Sequence, residues 1–459
     1  MDVDERTVDA EERSVTQVMA LARSDRGAIW AWWLAVGAAF VVLLIVGRHQ
    51  WFIRDDWAFL LTRERIGRGL GLDDMLLLPQ DGHLMVWPIL IYRALHAIFG
   101  LGSYWPYLIV LWLTHLGIVL LVRRVCGRLD VSAWMTTLIC SVLLVFGGGW
   151  ENILFAIQIT YNLSLLAFLA QFLLVDHDGP VDRRDWIGSA IAVIGVSSSG
   201  FGPFFAFGVG VLLAVRGRWK AAAIAVVPQA LVWSWWWLTW GADPAGEQGS
   251  GTVADVARFV RLGLVSTFAS LTGIGMLAGA GILLTLAIVV WPRTGARRRA
   301  IAIALWATVI AMFVGVGFQR VGIGVETAAS SRYQYIAAML LAPVFAVGLD
   351  QAGRFAPWAV WLPRAMLVFA LARNVMWLSD YGADWARRAE LERAAFALLA
   401  GSPDRTSVDP SLPIVDFSPD VRVDDLDQLV DDGAITPVED PTPDQQAIID
   451  DLLGQPAGG

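Results

Sequence analysis

Two neighbouring carboxylates, Asp55 and Asp56, follow the first long apolar run by about nine residues, in the stretch Arg54-Asp55-Asp56-Trp57. A carboxylate held at a partly buried interface can act as a base whose strength its surroundings set. Trp57 is of the type that anchors at a membrane surface. An enzyme joining a lipid-linked substrate to a water-soluble partner needs a base at such a place. The plain alternative is a solvated loop pair or a helix cap.

Other residues along the chain could serve the same chemistry. Asp81-Gly82-His83 supplies an imidazole able to meet a phosphate oxygen or a hydroxyl, or simply to begin a helix. Arg332, in Ser331-Arg332-Tyr333-Gln334-Tyr335, offers phosphate a planar fork that stays charged, unless it is a helix-end arginine reaching for water. Arg320 lies in the same loop, with Gln319 and Glu326 as weaker candidates. Gly147-Gly148-Gly149-Trp150 leads into Glu151, Asn152, Gln158, Tyr161 and Asn162. Glu151, Gln158 and Asn162 fall at about helical repeats, which predicts one polar face in an apolar segment. Such a face binds a polar ligand or bonds helix to helix.

The elements that must hold these residues are membrane helices. The 459 residues are 56% hydrophobic and 17% charged, where soluble domains have about 25% charged. Mean hydropathy is +0.58. Apolar runs near the about 20 residues needed to cross a bilayer recur along the chain. The 23 tryptophans suit interfacial belts. These features predict an all-α, polytopic membrane protein and offer no basic patch for nucleic acid. Cys126, at a basic helix end, and Cys140, in an apolar run, are expected to be reduced and structural.

Short loops rich in arginine and lysine mark the cytoplasmic side. They occur at Arg123-Arg124 with Arg128, at Arg183-Arg184, from Arg216 to Lys220, and at Arg293 with Arg297 to Arg299. Their alternation with basic-poor loops predicts about 11 crossings, near 28–46, 104–122, 131–146, 159–175, 187–199, 203–215, 221–240, 272–291, 300–318, 333–350 and 357–372. The segment from His83 to Phe99, with Pro88, Arg93 and His96, breaks the alternation if it crosses, so it is expected to lie on the surface. Residues 1–27 are then a cytoplasmic segment with no cleaved signal. Residues 28–372 form the membrane domain, with a first external loop at about 47–102. Residues 373–459 form an external tail in the cytoplasmic-membrane reading. Asn374 to Ala400 has helical composition, and beyond Gly401 the acidic sequence predicts partial disorder. Glycines at 200, 202, 208, 210, 273, 275, 279 and 281 predict close helix packing.

This ordered set resembles the GT-C superfamily of integral membrane glycosyltransferases, the mannosyl- and arabinosyltransferase group included. In that family an acidic pair opens a large first external loop that carries a surface helix. The Asp55-Asp56, Asp81-Gly82-His83 and Ser331-Arg332-Tyr333 stretches carry the resemblance. It implies sugar transfer from a polyprenyl-phosphate donor to an envelope glycan, glycolipid or protein. The base falls on Asp55, with Asp56 orienting the acceptor or exchanging roles with it. Arg332, His83, Tyr333 and Arg320 would hold the donor phosphate. Glu151, Asn152, Gln158, Tyr161, Trp57 and Asp81 would face sugar or acceptor. No obligatory metal is expected, although Asp55, Asp56 and Glu151 have the hard oxygens that a divalent cation, Mg or Mn, would take. A transporter or flippase of lipid-linked saccharides, a polymerase using diphosphate-linked donors, and a non-catalytic assembly factor are the rival readings.

Overall fold

The computed structural model describes residues 25–241, 251–291, 293–352, 360–414 and 418–454. Most of the expected cytoplasmic segment 1–27 lies outside the described residues. So do part of the loop from Gly241 to Ala257, the start of the expected crossing at 357–372, and the end of the apolar patch from Ile414 to Phe417.

The apolar runs fold as helices, which satisfy their own backbone groups where no water can. The longer ones are α1 (Asp25–Gly47), α2 (Val86–Phe99), α3 (Trp105–Arg128), α4 (Ala133–Leu144), α5 (Ile159–Val175), α6 (Arg183–Val196), α7 (Gly202–Val215), α8 (Trp219–Thr239), α9 (Val253–Thr272), α10 (Ala278–Val290), α11 (Ala296–Arg320), α12 (Ser331–Ala352) and α13 (Trp361–Gly401). Six segments are long and apolar enough to cross a membrane: α1, α3, α5 with the turn before it, α8, α11 and most of α12. The chain is thus a nearly all-α, multi-pass membrane protein. The crossings expected near 131–146, 187–199, 203–215 and 272–291 are helices of 12, 14, 14 and 13 residues. These fall short of the about 20 residues of a full span.

The bundle has two ends. At one, Arg128 closing α3, Asp176 after α5, Asp185 in α6, Arg216 after α7, Arg218 before α8 and Arg297 in α11 form a knot of ion pairs. At the other, Tyr161 in α5, Gly200 between α6 and α7, Trp233 and Trp237 in α8, Arg320 closing α11 and Arg332 opening α12 surround two adjoining cavities. The short helices α6 and α7 also run between these ends.

Three segments differ from the sequence expectation. The first is α9, which fills the stretch between the expected crossings at 221–240 and 272–291 and whose Thr252 and Asp255 cap each other at its start. Val256 and Phe259 pack on Gly317 near the end of α11, while Ser270 in its last turn donates to Gln334 in the first turn of α12, at 2.6 Å. Both ends of α9 therefore sit at the cavity end, and it lies across the bundle. Gly273, at φ 70, ends it in the left-handed conformation, and the chain bends 118° into α10.

The second is α13. The expected crossing and the helix from Asn374 to Ala400 are one helix of 41 residues. At 1.5 Å per residue it is about 60 Å long, about twice a bilayer core. Asn374 donates to Ser270 O at 3.0 Å, Gly382 abuts Val46 and Leu154, and Glu392 reaches Trp57. Its second half thus stands beyond the bundle as a post behind the Asp55 loop.

The third is the tail, which folds past Gly401 as a hairpin of β1 (Pro413–Ile414) and β2 (Ser418–Arg422) and helices Asp425–Asp431 and Pro443–Gly454. Its acids pair with the first loop instead of repelling one another. Arg65 bonds Asp425 at 2.5 Å, Thr62 donates to Asp420 at 2.7 Å, and His96 meets Asp432 at 3.0 Å. Val421, Leu426, Leu429 and Ile449 are buried beneath. Helix α2 starts at Val86, and His83 sits before it in a turn closed by reciprocal backbone bonds with Gln80. Cys126 and Cys140 are buried and free.

Candidate active site

The loop after α1 is fixed from both sides. Trp57 is buried and donates through Nε1 to Glu392 Oε1 on α13 at 2.7 Å, and the Arg54 backbone N–H reaches the same oxygen at 3.4 Å. Arg54 takes φ 51, a left-handed turn at the point where the acidic pair begins. Asp56 goes inward. It is fully buried and accepts from Tyr92 at 2.5 Å, Tyr104 at 2.9 Å and the Ile53 N–H at 3.2 Å. Burial pushes its carboxyl up to about 7, against the pull of those donors. Burial lifts Glu392 to about 8.

Asp55 goes outward. Its side chain opens into a solvent-connected cavity that it shares with Asp81, His83, Gln158, Tyr161, Arg320 and Arg332. Protein surrounds this water-accessible carboxylate on most sides, and that enclosure raises its pKa. Asp81 adds to the rise and Arg332 opposes it. Asp81 sits at φ 49, beside Gln80, whose Oε1 takes a bond from the fully buried Arg63 at 3.2 Å. The His83 ring packs against Gly200, where a Cβ would come within 2.2 Å of Nδ1, so any other residue there would displace the ring. Burial lowers the pKa of His83, which favours the neutral ring near pH 7.

The two arginines carry no ion pair to a carboxylate among the described residues. Arg332 lies over the Tyr333 ring at 5.7 Å, and its Nε is buried without a hydrogen-bond partner. A second cavity adjoins the first through His83, Tyr161 and Arg320. Its other walls are largely apolar: Phe201, Phe204, Trp233, Trp237, Val316 and Tyr333, with Gln319. One compartment thus presents carboxylate, imidazole and two guanidinium groups, and the next presents rings. That pair suits a molecule with an anionic head and an apolar body.

Asp55, Asp81, His83, Gln158, Tyr161, Arg320 and Arg332 therefore line one cavity, and Tyr333 lines its neighbour. Asp56, Trp57, Glu151 and Asn152 line neither. The chain between Gly147 and Val175 is broken into short turns before α5, so Glu151 and Gln158 share no helix face. Glu151 instead accepts from Ser331 Oγ at 2.5 Å and the Arg332 N–H at 3.3 Å, capping α12. Asn152 and Asn162 bond each other at 3.1 and 3.0 Å across the break. Tyr335 bonds His115 at 2.7 Å, away from the cavity.

Asp55, Asp56 and Glu151 do not converge as metal ligands, because Asp56 and Glu151 are taken up by other donors. Among the described residues the group spaced to hold a metal ion is His177, Asp182 and Asp185, at the opposite end. There the Arg218 guanidinium already sits 3.1 Å from His177 and 3.2 Å from Asp185.

The aromatic wall was missed from sequence. The run Trp233-Ser234-Trp235-Trp236-Trp237 was its one signal, and it also fits an interfacial belt. Glu392, an acid spaced with the apolar residues of α13, was the signal for the support behind Trp57. No family model, no curated protein and no solved structure matches this chain.

Proposed function

We propose that the protein is a GT-C-type glycosyltransferase that moves a sugar from a polyprenyl-phosphate donor to an envelope glycan, glycolipid or protein. The observation that carries this reading is the joined pair of cavities, one lined by Asp55, His83, Arg320 and Arg332 and the other by rings. The lipid's first isoprene units lie along Phe204, Trp233 and Trp237, and its phosphate meets Arg320 and Arg332. The basic loops gather at the far end, which makes that end cytoplasmic and the cavity external. About 11 crossings follow if α4, α6, α7, α10 and the first half of α13 join the six long spans, with α2 and α9 along the outer surface.

In the reaction, Asp55 takes the proton of an acceptor hydroxyl. The hydroxyl oxygen attacks the anomeric carbon as the bond from that carbon to the phosphate oxygen breaks. The electron pair leaves with the lipid phosphate, and Arg332 and Arg320 stabilise the charge that grows there. The product is the inverted glycoside. The raised pKa of Asp55 makes it a stronger base than a free carboxylate.

The test is transfer from a radiolabelled polyprenyl-phosphate sugar by purified protein. Asp55→Asn is expected to lower the rate by about a hundredfold or more. An unchanged rate in that variant would remove Asp55 from the chemistry.

A further inference from the structure

A third cavity opens at the same end of the bundle, on the other side of the first turn of α12. Ser331 and Gln334 face it, while Arg332 and Tyr333 face the two cavities already described. Glu151 marks the divide, bonding Ser331 Oγ and the Arg332 N–H with one oxygen.

The floor is Gly148. A Cβ there would lie 2.6 Å from Ser270, and its neighbours Gly147 and Gly149 abut α13 and Tyr335 as closely, so the three-glycine run keeps the groove open. The walls are Trp150, Trp377 and Tyr381. Trp150 stacks on Tyr381 with centroids 5.7 Å apart and planes at 16°. It also packs on Trp385 at 5.1 Å, and the Arg54 guanidinium lies 5.7 Å above that ring. Arg54 immediately precedes Asp55, so ring contacts lead from the groove to the base.

The chemistry of the lining selects its occupant. Among the described residues no charged side chain lines this groove, whereas Asp55, Asp81, Arg320 and Arg332 line the Asp55 cavity. Ring faces cover the C–H faces of a sugar, while Ser270 and Ser331, whose hydroxyl hydrogens go to Gln334 and Glu151, keep oxygen lone pairs that can accept from its hydroxyls. A phosphate would find no cation here.

We propose that this groove binds the saccharide of the acceptor, delivering its terminal hydroxyl to Asp55 from the side opposite the donor. The proposal rests on the glycosyltransferase reading above. Tyr381, 45% exposed at the rim, and Trp377 are the residues to vary.

With full-length enzyme, a polyprenyl-phosphate sugar and synthetic alkyl trisaccharides as acceptors, Tyr381→Ala and Trp377→Ala are expected to raise acceptor KM about tenfold. Their kcat stays within about twofold, and Tyr381→Phe, which keeps the ring, restores KM. An acceptor KM that does not move, or a loss confined to kcat, overturns the groove and leaves the function standing. Absence of transfer in the wild type overturns the function instead. The groove is then decided by tryptophan fluorescence. Quenching by the same trisaccharides that Tyr381→Ala weakens supports it, and no quenching overturns it.

Discussion

Arginine and aspartate crowd both ends of the helix bundle, but the far end buries them in pairs while one cavity at the other end holds four of them unpaired among the described residues. At the far end Asp176, 1% exposed, takes Arg128, Arg216 and Arg297, and the fully buried Asp185 takes Arg218 and His177. At the cavity end Asp55, Asp81, Arg320 and Arg332 line a common space without forming ion pairs among the described residues. Buried charge is costly unless it is paired. Asp176 and Asp185 are buried and need their partners, whereas Asp55 and Asp81 are exposed and Arg320 and Arg332 half-buried, so water serves them until a ligand does: the first group is a structural joint and the second a site. The difference also separates the members of the acidic pair: Asp56, bonded by two tyrosines, belongs with the joint, and Asp55 with the site.

The comparison can be broken most sharply at Asp176. Asp176→Ala removes the buried carboxylate that three arginines share, although Arg216 keeps Asp178 and the other two keep the backbone carbonyl, and is expected to cost about 2 kcal/mol of stability. Thermal unfolding in detergent measures this, and the rate per folded molecule stays near that of the wild type. Arg332→Ala is expected to do the reverse. Transfer falls about a hundredfold, while stability changes by about 1 kcal/mol or less, since no ion pair is lost. Arg332→Lys restores part of the rate, because a lysine keeps the charge but not the fork.

A third prediction concerns pH. Glu392 is held up to about 8 by burial, so the native state keeps a proton that the unfolded chain releases above the ordinary value of 4.5. Stability must therefore fall as pH rises from about 4.5 through about 8, and then level off. Melting curves from about pH 5 to about pH 9 should show that fall, and Glu392→Gln should remove its share, most clearly above about pH 7, leaving the fall that Asp56, held up to about 7, contributes below it. The smallest effect is expected at the tail. The partly exposed pair of His96 and Asp432 should contribute less than about 1 kcal/mol, read as the melting shift of His96→Ala.

Much of this arrangement was legible in the chain because charge and hydropathy are local signals. The basic loops that bound the apolar runs are the residues that meet at Asp176 and Asp185. Asp55, His83 and Arg332 stood out by type and address, and they line one cavity. What was not legible depended on contacts between distant segments. Asp255, Arg258 and Arg261 dilute the hydropathy of α9, and nothing in its sequence tells that it lies across the bundle. Charge breaks the apolar run of α13 at Arg373 and recurs from Asp380 onward, so its hydropathy falls midway and one continuous helix reads as two. The tail looked too acidic to fold, because its partners Arg65 and His96 lie more than 300 positions away. Glu151 and Gln158 looked like one face because the turns that part them, at Phe155 and before α5, leave no glycine or proline as a mark.

The most direct test of the account is a cryo-EM structure of the protein with a bound polyprenyl phosphate. The phosphate is expected between Arg320 and Arg332, facing Asp55, with the chain leaving over Phe204, Trp233 and Trp237. A phosphate seated at the Asp176 end, or a lipid that leaves the Asp55 cavity empty, would contradict it.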